Sequence, residues 1–272
     1  MGKTKPRSGN LFFVTLPYKE VKKSLDFIRT NRLGIEIAAH DTNWLLNIFN
    51  ASAARKLGID LEGKGTHVRA AGPIFDMNPG SLDHVVRQHT GSCYLRAVEM
   101  ARAIGSSSLV VPSGFNPLLP GDSVAGWREL SLDTWIKVGE AARHQKIEIL
   151  IKNIFDPSPE VILQMLEALR GLPFGFCLDV GHASVYSTIG LRQWLKSTEE
   201  WIREVHLHDN LGSSDDHLPL GEGIIDFRSL FTALIRQTRI PPFTLDLETG
   251  DALKSLVHIE RHDLLGQQLD LL

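Results

Sequence analysis

Short apolar runs alternate along the chain with longer stretches whose apolar positions recur at helical spacing. The runs fall at residues 11–16 (LFFVTL), 34–39 (GIEIAA), 67–71, 108–112 (SLVVP), 148–154 (EILIKNI), 174–180 (FGFCLDV), from 205 onward (VHLHDN) and at 243–248 (FTLDLE). Their length and β-branched content read as strands, and apolar residues at consecutive positions mean both faces are covered. Helices are predicted over residues 19–31, about 44–56, 94–104, about 127–144, 157–170, 191–201, 226–236 and 251–265. The helix at 157 opens on Pro157-Ser158-Pro159, where missing amide donors cost nothing because first-turn N–H groups have no helical partner. Two longer loops interrupt the pattern: 75–91, holding Asp76, Asn78, Arg87 and His89, and the stretch starting at Phe115.

Eight strands alternating with helices predict a parallel sheet with helices packed on it, and eight units in this length match a closed (β/α)8 TIM barrel in the α/β class. No Gly-rich fingerprint follows the first strand to favour a doubly wound open sheet. Residues 1–10 (MGKTKPRSGN) are expected to form a flexible N-terminal arm, with 11–272 a single barrel domain. That arm lacks the apolar core of a signal peptide, and no apolar run approaches the roughly 20 residues that span a bilayer. Two cysteines, Cys93 and Cys177, make no disulfide framework. These features together predict a cytoplasmic protein with no membrane partner. A net charge of −3 gives no basic field for nucleic acid.

Chemistry concentrates where a barrel puts its site, at the C-terminal strand ends. Those ends carry Glu36, Ala71, Pro112, Lys152, Asp179 with His182, His206 with Asp209, and Glu248. Beyond the seventh strand, residues 205–226 add His208, Asp215 and His217. Imidazoles and carboxylates at this density suit a divalent zinc, manganese or iron ion. Arg87 and His89 are read as solvated loop residues, Asp76 and Asn78 as turn formers, and Cys177 as a buried thiol. His258 and His262, four apart on the last helix, are read as surface residues. Glu36 either enters the pocket or pairs locally.

The motifs CLDVGHA (177–183), VHLHDN (205–210), DDHLPLGEGIIDF (215–227) and LDLE (245–248) resemble the xylose isomerase-like TIM-barrel superfamily, which holds sugar isomerases, epimerases and apurinic-site endonucleases. The resemblance implies one metal held by Asp179, His206 and Glu248. It implies a further ion, used by the endonucleases, on His182, Asp215 and His217. In the isomerase branch His182 corresponds to a substrate contact. Asp209 and Asn210 are expected to orient a ligating imidazole or cap their loop, and His208 to pack against the helical layer.

Three departures weaken the implied set. The superfamily has histidines near Ala71 and Pro112 and a glutamate at Lys152, and this chain has none of the three. Lys152 is therefore expected to pair with Asp179 or Glu248, leaving one or two ions at most. The reading is a metal-dependent sugar (phosphate) isomerase or epimerase with a partly degenerate site. Glu248, Lys152 and His182 are its candidate catalytic residues, and a sugar or phosphorylated small molecule its substrate. A phosphoester hydrolase and a non-catalytic ligand-binding barrel are the alternatives. Abasic-site repair ranks low.

Overall fold

A computed structural model describes residues 11–237 and 239–266; the expected arm at 1–10 lies outside them. Eight strands close in sequence order: β1 (Phe12–Pro17), β2 (Gly34–Ala38), β3 (Val68–Ala71), β4 (Ser108–Pro112), β5 (Glu148–Lys152), β6 (Phe174–Asp179), β7 (Ile202–Leu207) and β8 (Phe243–Leu245). Each pairs in parallel with its neighbours, and β8 returns to β1 through Val14 beside Leu245. The (β/α)8 barrel expected from the alternation is the fold found.

Outward-facing side chains of the strands, such as Ile35, Leu109, Ile151, Phe176 and Val205, are fully buried under the helices. Inward ones split into layers, as the two-residue period requires. Ala38, Ala71, Val110, Leu150 and Cys177 form a small apolar plug. Charged groups of the same parity sit in register with it: Thr15 beside Glu36, Glu36 beside Arg69, Cys177 beside Glu204, and Asp179 beside His206. Arg69 donates to Glu204 at 2.6–2.7 Å, and Thr244 donates to the other Glu204 oxygen at 2.5 Å. That network satisfies the buried charges, which would otherwise cost several kcal/mol each.

The helices are α1 (Leu25–Thr30), α2 (Ala51–Gly63), α3 (His84–Ala103), α4 (Val124–Gln145), α5 (Glu160–Ala168), α6 (Val180–Tyr186), α7 (Leu191–Thr198), α8 (Phe227–Ile235) and α9 (Thr249–Arg261). None of the described helices is long and apolar enough to cross a membrane. Three expectations change. The first predicted helix breaks into a 3-10 turn at Tyr18–Glu20 and the short α1. The second splits into a π-helical turn at Trp44–Ile48 and α2, which starts at Ala51 because Asn50 caps it by accepting from the Ala53 N–H. The third starts ten residues early, capped by Asp83, so Arg87 and His89 are helical rather than in a loop.

Candidate active site

Lys152 ends β5 at the centre of the barrel floor. Its Nζ lies 3.3 Å from Asp179 Oδ2, 3.4 Å from Asp246 Oδ2 and 3.4 Å from His206 Nδ1. The lysine side chain is 3% exposed and Asp179 fully buried, so this is a desolvated cation among two carboxylates and an imidazole. Burial works against the charge on Lys152, but Asp246 and Asp179 outweigh it and hold the ammonium above its ordinary range. Asp246 responds in kind: burial raises it, and Lys152 with His206 pulls it well below the usual carboxylate range. The other imidazole nitrogen of His206 meets Glu36 Oε2 at 3.2 Å, and Thr15 donates to the second Glu36 oxygen. Glu36 thus belongs to the barrel interior.

Glu248 does not join this group. β8 ends at Leu245, three residues sooner than its apolar pattern suggests, and the chain turns into α9 with Glu248 exposed at the helix start. Two residues beyond the inward Thr244, Asp246 is the acid that points to the floor. The expected Lys152 pairing is therefore with Asp179 and Asp246.

A second cluster stands beside the floor. Asp179 caps α6 by accepting from the His182 N–H at 3.0 Å, so the D-x-x-H spacing is a helix start that swings His182 to the rim. His182 Nδ1 donates to the Asn153 carbonyl at 3.0 Å, His217 Nδ1 to the Asp246 carbonyl at 2.7 Å, and His208 Nε2 to Asp179 Oδ1 at 2.9 Å. A carbonyl or carboxylate only accepts, so each of these contacts uses a ring N–H and leaves the opposite nitrogen for a second partner. All three of those nitrogens face Asp215, at 3.2 Å from His182, 3.4 Å from His217 and 3.6 Å from His208. The His208 and His217 rings stack in parallel, 3.9 Å apart. His208 Nδ1 and Asp215 Oδ1 are buried without a hydrogen-bond partner among the described residues.

His208 is a correction. It was expected to pack on the helices, yet residues 206 and 208 share parity and so share the inner side. Gly181 makes room for it: a Cβ there would come within 2.0 Å of the His208 ring. The loop carrying Asp215 and His217 is held by Asp209, whose carboxylate accepts from the N–H groups of Gly221, Gly223 and Ile225 at 2.9–3.2 Å. Asn210 spans from the Gly181 carbonyl to the Gly212 N–H. Both residues therefore cap the loop, one of the two roles expected of them.

The donor atoms of His182, His208, Asp215 and His217 lie within 4.8 Å of one another, as do those of Asp179, His206 and Asp246. A third such set, Glu36, Glu204 and His206, already takes the Arg69 guanidinium, and of the three sets among the described residues the first fits a cation. Once the ring protons facing Asp215 are displaced, it offers three oriented imidazole nitrogens and a carboxylate, the chemistry of a zinc site with its orienting hydrogen bonds in place. The second set already surrounds an ammonium. In the first, Asp215 is held below its ordinary range: burial opposes this, and hydrogen bonds from His182 and His217 prevail. His217 is raised to about 9, as its bond with Asp215 overcomes the effect of burial.

Both clusters open onto a cavity of about 1140 Å³. His40, just past β2, lines it together with Lys152 and Asp246. Burial lowers His40 to about 4, Lys152 and His206 reinforcing this against Asp246, and its Nε2 has no partner among the described residues. His89 and Asp76 line the wall, whereas Arg87 folds back onto the carbonyls of Ser81 and Leu82. Cys177 is buried, and burial pushes its thiol up to about 11. His258 lies on α9 and His262 caps its C-terminal end, and neither is in any of the donor clusters.

A family model for the xylose isomerase-like TIM barrel matches residues 24–272. The chain belongs to the xylose isomerase-like TIM-barrel family. An uncharacterized protein of Methanocaldococcus jannaschii is 30% identical over 162 residues, covering 57% of this chain and 55% of that protein, so the match spans about half the length of that relative. Among solved structures, a Thermus thermophilus protein from crystals soaked with zinc chloride has a TM-score of 0.80 at 22% identity, covering 95% of this chain and 99% of the other. A D-tagatose 3-epimerase-like protein also scores 0.80, at 23% identity, covering 94% and 98%. At these identities the likeness is one of fold. In this family member the floor position expected to carry a glutamate carries Lys152.

Proposed function

We propose that the protein is a sugar isomerase or epimerase that moves a proton on a carbon beside a carbonyl. In this reading one divalent ion sits in the loop cluster, and Lys152 occupies the floor in place of a second. The observation that carries the proposal is the buried Lys152 ammonium, 3.3–3.4 Å from Asp179, Asp246 and His206 at the base of a large open cavity. The fold likeness to sugar epimerases supports the substrate class. An ion on His182, His208, Asp215 and His217 would supply Lewis-acid polarisation of a substrate oxygen.

The chain's own groups divide the remaining work. Asp246 opens onto the cavity and takes the proton from carbon. The electron pair moves onto the carbonyl oxygen, where the Lys152 charge stabilises the enediolate. The proton then returns to the former carbonyl carbon while the proton of the neighbouring hydroxyl passes to the former carbonyl oxygen, giving the isomer. Asp246 is a weak base because of its charged neighbours, so stabilisation of the oxyanion carries most of the rate. Epimerisation needs a second group on the opposite face of the carbon, and His40 is the cavity residue with an unpaired nitrogen to offer. Lys152 thus acts as a fixed charge rather than the neutral base that proton abstraction by it would require.

The hydrolase reading loses support at the same place. A two-ion clamp on a phosphoryl group needs cations on both clusters, and the ammonium stands in one of them. The test is incubation with a panel of aldoses, ketoses and oxo-glycosides in D2O, with deuterium at carbon followed by NMR. Exchange that is lost in Asp246→Asn and reduced at least tenfold in Lys152→Met is expected. No exchange with any sugar, alongside turnover of phosphodiesters, would overturn the proposal.

A further inference from the structure

The cavity has two unlike halves. Its polar half comes from the ends of β5 to β8 and the loop cluster: Lys152, Asp246, His182, Asp215 and His217. Its other half comes from the segments after β3, β4 and β5 and is richer in apolar side chains, with Asp76, Asn78 and His89 among them. Phe75, Val85 and Phe155 are 72%, 59% and 48% exposed, and all three line the cavity. Phe155 meets Tyr186 edge-on at 4.9 Å, and Phe115 is braced edge-on by Trp127 at 5.2 Å. The segments that bear this wall follow Ala71 and Pro112, the two positions where expected histidine ligands are missing.

Apolar side chains this exposed around a concave site mark a ligand-binding surface. A volume of about 1140 Å³ is at or beyond the upper end of the range that houses drug-sized ligands, roughly 300–1,000 Å³, and far more than a free hexose fills. Charge narrows the choice further. Among the described residues no arginine lines the cavity, and its one lysine is committed to Asp179 and Asp246, while Asp76, Asp215 and Asp246 add negative charge. A phosphorylated sugar would want the forked donors that are missing here. Ring edges and faces on the apolar wall instead suit a planar aromatic group, which gains from offset or edge-on contacts beyond its buried area.

We infer that the substrate is an uncharged sugar carrying an aromatic group in glycosidic linkage, with the sugar on the polar half and the aromatic ring between Phe75, Phe155 and Tyr186. This rests on the sugar reading above and sharpens it. Because a glycosidic bond locks the anomeric carbon, the carbonyl required for proton transfer would be a ketone elsewhere on the ring. The reaction supplying such a substrate is therefore oxidation of a ring hydroxyl of the aryl glycoside.

Calorimetry with and without added zinc tests this with a panel of common hexoses, their phenyl glycosides with and without a ring ketone, and their phosphates. At least one phenyl glycoside is expected to bind tenfold or more tighter than its parent sugar. The Phe75→Ala/Phe155→Ala double variant should lose that gain while changing free-sugar affinity less than twofold. Circular dichroism checks its fold, and Phe155→Leu provides a milder second variant, with a partial loss expected. Equal affinity for free and phenyl sugars, or preference for a phosphate, would overturn the inference and leave the sugar reading intact. No binding of any sugar would overturn both. Sedimentation covers the remaining case: a dimer that dissociates on the double substitution, with no change in ligand affinity, would assign the apolar wall to a second copy and overturn the inference.

Discussion

Replacing Lys152 by glutamate should convert the floor from an ion pair into a metal site. In the wild type, a divalent ion about 4 Å from the ammonium would be repelled by roughly 8 kcal/mol at an effective dielectric near 20. Lys152→Glu removes that barrier and sets a third carboxylate beside Asp179 and Asp246, both now within 3.4 Å of the lysine nitrogen. Without metal the variant should be less stable. Removing one partner of a buried pair costs about 3–5 kcal/mol, and at about 2–4 °C per kcal/mol, the scaling for slightly smaller domains, Tm falls by roughly 6–20 °C. Added zinc or manganese should restore it, by about 2.7 kcal/mol at a free concentration a hundredfold above Kd. Elemental analysis after equilibrium dialysis, read with thermal denaturation, gives the answer: one ion per chain in the wild type, two in Lys152→Glu. A variant that holds no additional ion and gains no stability from metal would refute the reasoning, as would a wild type holding two.

Zinc affinity should depend on the loop imidazoles, so His208→Ala is expected to weaken it at least tenfold in competition with a chromogenic chelator. Because His217 sits at about 9 in the metal-free protein, an ion must displace its proton, and apparent affinity should rise about tenfold per pH unit from 7 to 9 before levelling. A flat profile would contradict this. His40 is lowered to about 4 from an ordinary 6.5, so the unfolded chain takes up a proton that the folded one refuses. Its contribution to stability is intact above pH 6.5 and is lost as pH falls from 6.5 to 4, by about 1.4 kcal/mol per pH unit and roughly 3 kcal/mol in all. His40→Gln should remove that slope in urea titrations across the window. Arg69→Met leaves Glu204 buried with Thr244 as its hydrogen-bond donor and His206 3.8 Å away, and should cost about 3–5 kcal/mol in the same assay.

The fold was legible because each barrel strand is buried on both faces and each is followed by a helix-period segment, a pattern few other architectures produce. The site was legible where a residue's place follows from local geometry. Asp179 and His182 are joined by a helix cap, and Asp215 and His217 by a loop anchored on Asp209. It was misread where a strand's end had to be known. The run at 243–248 stays apolar enough to look extended through Glu248, but pairing with β7 stops at Leu245, which turns Asp246 inward and Glu248 out. His208 was misplaced through its parity, although the two-residue period was there to be counted from His206. Glu36, Arg69 and Glu204 form a charged interior layer from three separate strands. A polar residue alternating with apolar ones marks each of them locally, but which charge meets which depends on the stagger of the closed barrel.

Crystals soaked with zinc chloride and measured on either side of the zinc absorption edge would test the metal arrangement most directly. One anomalous peak is expected, bounded by His182, His208, Asp215 and His217, with Lys152 still bridging Asp179 and Asp246 on the floor. A peak among Asp179, His206 and Asp246 with the lysine turned away, or no peak at the loop cluster, would contradict it.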